Sequence, residues 1–216
     1  REVDEQRFSL VHFYERRFRR IMPALSLMIL VVLAAACWLY LPGDIEGVPK
    51  SALAATLFAS NLWFFTDTGY IAGGADVKPL LHSWSLAVEE QFYIGFPILL
   101  MLVARFAARW RGLIVGAIAA LSLALAIALQ RDTSGFTFYL LPTRAWELFA
   151  GALLALGAIS AARQRWLREA LAWSGLLSVT FAVIFYTRET VFPGITALPP
   201  VLGAAHGRGG QREGTG

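Results

Sequence analysis

Four stretches of this chain, residues 21–41, 86–103, 112–129 and 170–186, are apolar almost throughout. Each matches or approaches the about 20 helical residues that cross a hydrocarbon core about 30 Å thick. Composition agrees with reading them as membrane helices, because 57% of residues are hydrophobic against about 45–50% in soluble domains. A fifth run, residues 146–159, is shorter. Pro142 can start its helix a turn earlier, and Ala150, Gly151, Ala152, Ala155 and Gly157 offer small faces for close helix contact, so it counts as a span. Trp38, Tyr40, Trp84, Tyr93, Trp110, Tyr139, Trp146, Trp173 and Tyr186 fall mostly toward the ends of these runs, as an aromatic belt requires. The expected fold is an all-α, polytopic membrane helical bundle.

One run is ambiguous: residues 51–65, SALAATLFASNLWFF, are short for a span and contain Asn61. Charge arbitrates. Arginines cluster at Arg16, Arg17, Arg19 and Arg20, at Arg105, Arg109 and Arg111, and at Arg163, Arg165 and Arg168. The positive-inside rule puts all three clusters in the cytoplasm only if residues 51–65 do not cross. That run is therefore expected as a short re-entrant or interfacial helix in the outer leaflet, giving about five to six spans in all. Glu89, Glu90, Arg144 and Glu147 then lie near the outer face, opposite Arg16–Arg20.

The arginines sit between apolar runs rather than along one face, which argues against nucleic acid as a partner. Cys37 is alone in the chain, so it can form no intrachain disulfide and reads as a packing residue. Residues 206–216, HGRGGQREGTG, carry no apolar side chain and read as an aberrant or disordered tail.

Several constellations can carry chemistry. Arg16, Arg17, Arg19 and Arg20 directly precede a membrane helix, where they serve either as a topology anchor or as an anion site. In the second case their guanidinium forks would hold the phosphates of a nucleotide-containing donor. The carboxylates Glu89 and Glu90 stand at the head of an apolar segment, where ionisable groups are costly and mark a functional site. Helix-dipole compensation, with Ser85 as N-cap, accounts for one carboxylate more readily than for two. Successive helical residues point about 100° apart, so one of the pair lines a cavity, and Glu89 is expected to be that one. His82 is near enough in sequence to act as base or relay, or is simply a polar loop residue; His12 and His206 are weaker candidates. Arg144 and Glu147 either neutralise one another or line the same outer cavity as Glu89, Arg144 then binding a polar acceptor or a developing oxyanion. Asp67 and Asp76 read as turn residues.

Three segments taken together, FYERRFRRIMPAL, PLLHSWSLAVEEQFYIGFPILL and LPTRAWELFAGALLA, resemble the acyltransferase 3 family. These are bacterial inner-membrane O-acyltransferases that modify lipopolysaccharide, peptidoglycan and other surface polysaccharides. The resemblance runs from about Phe8 to Ala205 and makes residues 1–205 part of such a membrane domain. It implies a bundle of about ten membrane helices, acyl-CoA (acetyl-CoA) as donor without a metal, and an extracytoplasmic carbohydrate acceptor. Its arginine motif falls on Arg16, Arg17 and Arg20, its WSLxxE pattern on Trp84, Ser85, Leu86 and Glu89, and its RxxEL pattern on Arg144, Glu147 and Leu148. Glu89 and Arg144 are then the candidate catalytic residues, with Trp84, His82 and Glu147 beside the acceptor. The family's proposed catalytic histidine belongs to an upstream helix that has no counterpart here, so the chain is expected to be a fragment, inactive alone. A transporter or flippase for a polar lipid-linked sugar is the competing class, and a structural membrane subunit the third.

Overall fold

A computed structural model describes residues 9–41, 45–67, 78–129, 134–157 and 164–185. Asp76, Arg163, His206 and the tail fall outside them. All regular structure among the described residues is helical: α1 (Leu10–Leu39), α2 (Gly47–Thr56), α3 (Ser60–Thr66), α4 (Ser83–Ala107), α5 (Arg111–Leu129), α6 (Ser134–Tyr139), α7 (Leu141–Ala155) and α8 (Arg165–Phe185). The chain divides into two units, one holding residues up to Ala108 together with Tyr139–Leu141, the other holding Arg109–Phe138 and the residues from Pro142 on.

The surface is that of a membrane bundle. In the most apolar windows of α1 and of the helical stretch Ser83–Leu129 only 17% of residues are buried, so these are not the covered core helices of a soluble protein. Leu27, Leu30 and Val31 on α1, Ile98 and Leu102 on α4, and Leu176, Phe181 and Ile184 on α8 all face outward, as lipid requires.

In the first unit, α1 begins where Ser9 Oγ accepts the His12 N–H at 3.4 Å, so the helix starts about three turns before the apolar run at residue 21. Its 30 residues make it about 45 Å long, and the arginines lie on the helix itself. The ambiguous run is broken in two. α2 and α3 have ten and seven residues, about 15 and 10 Å, and neither crosses a 30 Å core. The break is a Schellman motif: Ala59 N–H donates to Ala54 O at 2.8 Å and Phe58 N–H to Ala55 O at 3.1 Å. Its left-handed position is filled by Phe58, at φ +52°, where a residue with a Cβ costs about 1–2 kcal/mol. Phe58 offsets that cost by packing on the core of Leu25 and Ile29 from α1, Ala52 and Ala55 from α2, and Leu80.

α7, which belongs to the second unit from Pro142 on, starts at Leu141 with Pro142 in its first turn, as expected, and stops before Gly157, φ +69°. Its 15 residues give about 22 Å, less than a full crossing. Ser122 of α5 fixes its first turns. The Ser122 hydroxyl donates to Pro142 O at 2.6 Å and accepts the Trp146 N–H at 3.1 Å, bridging a helical donor and acceptor four residues apart. Between α4 and α5 the structure has a 3-10 turn, Ala108–Trp110, in place of a loop, flanked by Arg105 and Arg111.

Candidate functional site

The centre of the first unit's polar chemistry is Arg17. Its Nε donates to Glu90 Oε2 at 2.8 Å and its Nη2 to Glu90 Oε1 at 2.6 Å, a bidentate fork. Nη2 also lies 3.5 Å from Glu89 Oε1. The guanidinium carbon stands 3.3 Å from the centroid of the Tyr93 ring, one turn after Glu90 on α4, so one face of the cation rests on an aromatic. One turn earlier on α1, Tyr14 OH donates to Ile94 O at 2.7 Å, close to Pro97, whose missing N–H interrupts the α4 ladder.

Three expectations are corrected here. The structure turns Glu90 inward, its side chain 6% exposed, and leaves Glu89 46% exposed; the 100° step between neighbours allows only one of them to face α1. The basic cluster and the acidic pair also meet instead of lying on opposite faces. Helices with flush ends would keep the two groups apart, but α1 extends back past its apolar run and carries Arg17 along α4. Ser85 is not the N-cap either: His82 holds that position, and Ser85 Oγ donates to His82 O at 3.0 Å.

The remaining candidates of the first unit have other surroundings. Arg16 and Arg20 are exposed on α1, and Arg19 pairs with Glu15 at 2.8 Å. His82 is exposed and its side chain caps nothing. Trp84 meets Tyr139 edge to face, centroids 5.5 Å apart. Asp67, read as a turn residue, pairs with Lys78.

A second polar node was not singled out from sequence. Asn61, fully buried, and Gln91 exchange side-chain amide hydrogen bonds: Gln91 Nε2 donates to Asn61 Oδ1 at 2.8 Å and Asn61 Nδ2 to Gln91 Oε1 at 3.3 Å. Gln91 Nε2 also reaches Phe58 O at 2.9 Å, and Asn61 Nδ2 reaches Tyr139 O at 3.1 Å. The node ties the strained turn between α2 and α3 to the residue after Glu90. Its sequence signal was Asn61 inside an apolar run together with Gln91 beside the carboxylates.

In the second unit Arg144 Nη2 donates to Glu147 Oε2 at 3.0 Å and Oε1 at 3.2 Å. Their side chains are 13% and 22% exposed. Thr143 Oγ1 donates to Thr137 O at 3.0 Å and closes the corner from α6 into α7. Glu89 belongs to the first unit and Arg144 to the second.

Chemically, the first unit offers a half-open carboxylate, Glu89, able to accept a hydrogen bond from a hydroxyl, beside a locked Arg17–Glu90 pair and two outward guanidinium groups. No group of three or more metal-ligating side chains occurs among the described residues.

Comparison with known proteins gives this arrangement a family. The chain is 31% identical over 153 residues to the O-acetyltransferase OatA of Staphylococcus aureus, an alignment covering 69% of this chain and 25% of that protein. It is 31% identical over 147 residues to the putative membrane-bound transacylase BcsY of Komagataeibacter xylinus, covering 68% and 38%. An uncharacterised protein of Haemophilus influenzae is 38% identical over 101 residues, 47% of this chain and 41% of that one. The chain thus spans less than half the length of each of these relatives. No solved structure is significantly similar to it. The model of the acyltransferase 3 family, described as an acyltransferase domain, matches residues 4–206, and the chain belongs to that family.

Proposed function

We propose that this chain serves a bacterial inner-membrane, multi-pass O-acyltransferase that moves an acyl group, acetyl in the first instance, from acyl-CoA to a hydroxyl of an extracytoplasmic saccharide. The observation that carries the reading is the family match over residues 4–206, which takes in the arginine cluster, the Glu89/Glu90 pair and the Arg144/Glu147 pair. A relative named as an O-acetyltransferase supports the choice of acyl group. In this reading Arg16 and Arg20 face the phosphates of the donor, and Glu89 takes the hydrogen bond of the acceptor hydroxyl. The hydroxyl oxygen forms the new ester C–O bond as the thioester C–S bond breaks, the hydroxyl proton passes to a base, and CoA leaves as the thiol. Arg144, oriented by Glu147, is the residue of the second unit with the chemistry to hold a polar acceptor or an oxyanion. His82 and Trp84, at the start of α4, are the polar and aromatic groups for the sugar.

The test is transfer in membranes that contain the native-length protein, supplied with radiolabelled acetyl-CoA. Base-labile label in the envelope glycan, abolished in a strain lacking the gene, is the expected result. Movement of a lipid-linked sugar with no dependence on acyl-CoA, and no esterified label, would replace this reading with a transporter.

A further inference from the structure

The arginine motif treats Arg16, Arg17 and Arg20 alike, but their surroundings differ. A guanidinium has five N–H groups. Arg17 directs its Nε and one Nη2 hydrogen at Glu90 and aims Nη2 at Glu89 as well. The side-on edge, Nε with Nη2, is therefore filled by Glu90, the Nη2 corner of the end-on edge is turned to Glu89, and one face of the guanidinium is covered by Tyr93 at 3.3 Å. Arg16 and Arg20, four residues apart on the same side of α1, are both exposed.

We infer that Glu90 is a positioning residue for acyl transfer, acting through Arg17. It holds the Arg17 guanidinium against Tyr93 and so sets the register of α1, which carries Arg16 and Arg20, against α4, which carries Glu89. Arg17 itself is then not a donor contact. The donor-side cations and the acceptor-side carboxylate are spaced by two residues that touch neither substrate. The geometry suits this role: Glu90 is 6% exposed and joins Arg17 across 73 residues of sequence, whereas Glu89, 46% exposed and 3.5 Å from the same nitrogen, is left open to a ligand. Tyr14 OH on Ile94 O adds a second α1–α4 link a turn away. This inference rests on the acyltransferase reading for its kinetic part only.

The experiment uses the native-length protein in membranes with acetyl-CoA as the varied substrate, together with thermal unfolding of the purified protein in detergent. The variants are Arg17→Ala, Glu90→Gln, their double, and the exchange Arg17→Glu/Glu90→Arg. A positioning pair lowers kcat by about tenfold or more in both single variants while KM for acetyl-CoA stays within about twofold. The double variant is then no worse than the singles, and the exchange recovers part of the turnover and part of the unfolding temperature. Arg16→Ala, by contrast, raises KM. A rise of about tenfold in KM for Arg17→Ala, with Glu90→Gln leaving KM unchanged or lower, would overturn the inference, because freeing a phosphate-binding arginine helps the donor. Additive losses in the double variant would overturn it too. If the unmutated protein transfers nothing, the acyltransferase reading fails. The unfolding cycle and the exchange then still decide whether Arg17 and Glu90 act as a pair, and loss of coupling there refutes the positioning role on its own.

Discussion

Each unit of the molecule contains a largely buried arginine–glutamate pair, and the two pairs differ in how their partners are brought together. Arg144 and Glu147 are neighbours on one helix; α7 brings them together as soon as it forms. Arg17 and Glu90 are 73 residues apart, on α1 and α4, and meet only when both helices and the α2–α3 turn are in place. The first pair neutralises itself wherever its helix goes. The second reports tertiary structure, and burial makes it sensitive to the loss of either partner, because the remaining charge is stranded away from water.

The comparison breaks first at Arg17. Arg17→Ala leaves the Glu90 carboxylate, 6% exposed, without its fork, and should cost about 3 kcal/mol. Glu90→Ala should cost about half as much, because Glu89 at 3.5 Å can take over the cation and Arg17 keeps partial access to water. Thermal or denaturant unfolding of the purified protein measures both. Equal losses from the two substitutions would mean that Glu89 gives no compensation.

Next comes the amide node. Asn61→Leu removes a fully buried side chain that donates to Tyr139 O and exchanges bonds with Gln91, so about 1–3 kcal/mol should be lost from unsatisfied partners. Gln91→Leu additionally leaves Phe58 O without the donor that holds its strained turn. Proteolytic nicking between α2 and α3 should rise in Gln91→Leu ahead of global unfolding. A nicking rate equal to that of the unmutated protein would show that the Schellman turn holds without the amide.

These nodes also show what sequence could and could not say. The end of α7 at Gly157, in the left-handed region, falls short of the run read to residue 159, in which that glycine counts as a contact face; the apolar runs and the start of α7 at Pro142 follow local rules about length and proline, and were legible. The stop of α2 was not, since the same left-handed position is held there by Phe58, which carries no local signal and is tolerated because its ring joins the core. Arg144–Glu147 could be named from spacing alone. The choice between Glu89 and Glu90 could not, because helical spacing says that one faces inward without saying which, and the deciding partner lies on another helix. The Ser122 bridge to Pro142 and Trp146 had no sequence signal, as a serine in an apolar run reads as a tolerated small residue.

In the second unit the effects should be smaller. Glu147→Gln keeps the side chain's shape and an acceptor oxygen for Arg144, so the charge-assisted bond becomes an ordinary one, for a loss of about 1 kcal/mol. A double-mutant cycle across Arg144 and Glu147 should give a coupling several-fold below that of Arg17 and Glu90. Comparable coupling energies would erase the distinction between the local and the tertiary pair. If the proposed acceptor role holds, Arg144→Lys should lower transfer far more than stability, because an ammonium lacks the planar fork.

The smallest effect belongs to a third local pair, Glu46 and Lys50 at the start of α2, 2.5 Å apart and both exposed. The hydrogen bond from Lys50, reinforced by its charge, holds the Glu46 carboxyl below the usual carboxylate range. The folded-state value is the depressed one, so the pair's contribution is present above the unfolded value and is lost as pH falls through the folded one. Water screens a pair so exposed, and global stability should not change measurably across that window. What should move is the titration itself: with Lys50→Met, which removes both the donor and the charge, the Glu46 carboxyl followed by NMR should rise to the ordinary carboxylate range. A carboxyl that stays depressed in Lys50→Met would show that the α2 N-terminus, not Lys50, sets it, and this pair would then join the helix-end effects rather than the ion pairs.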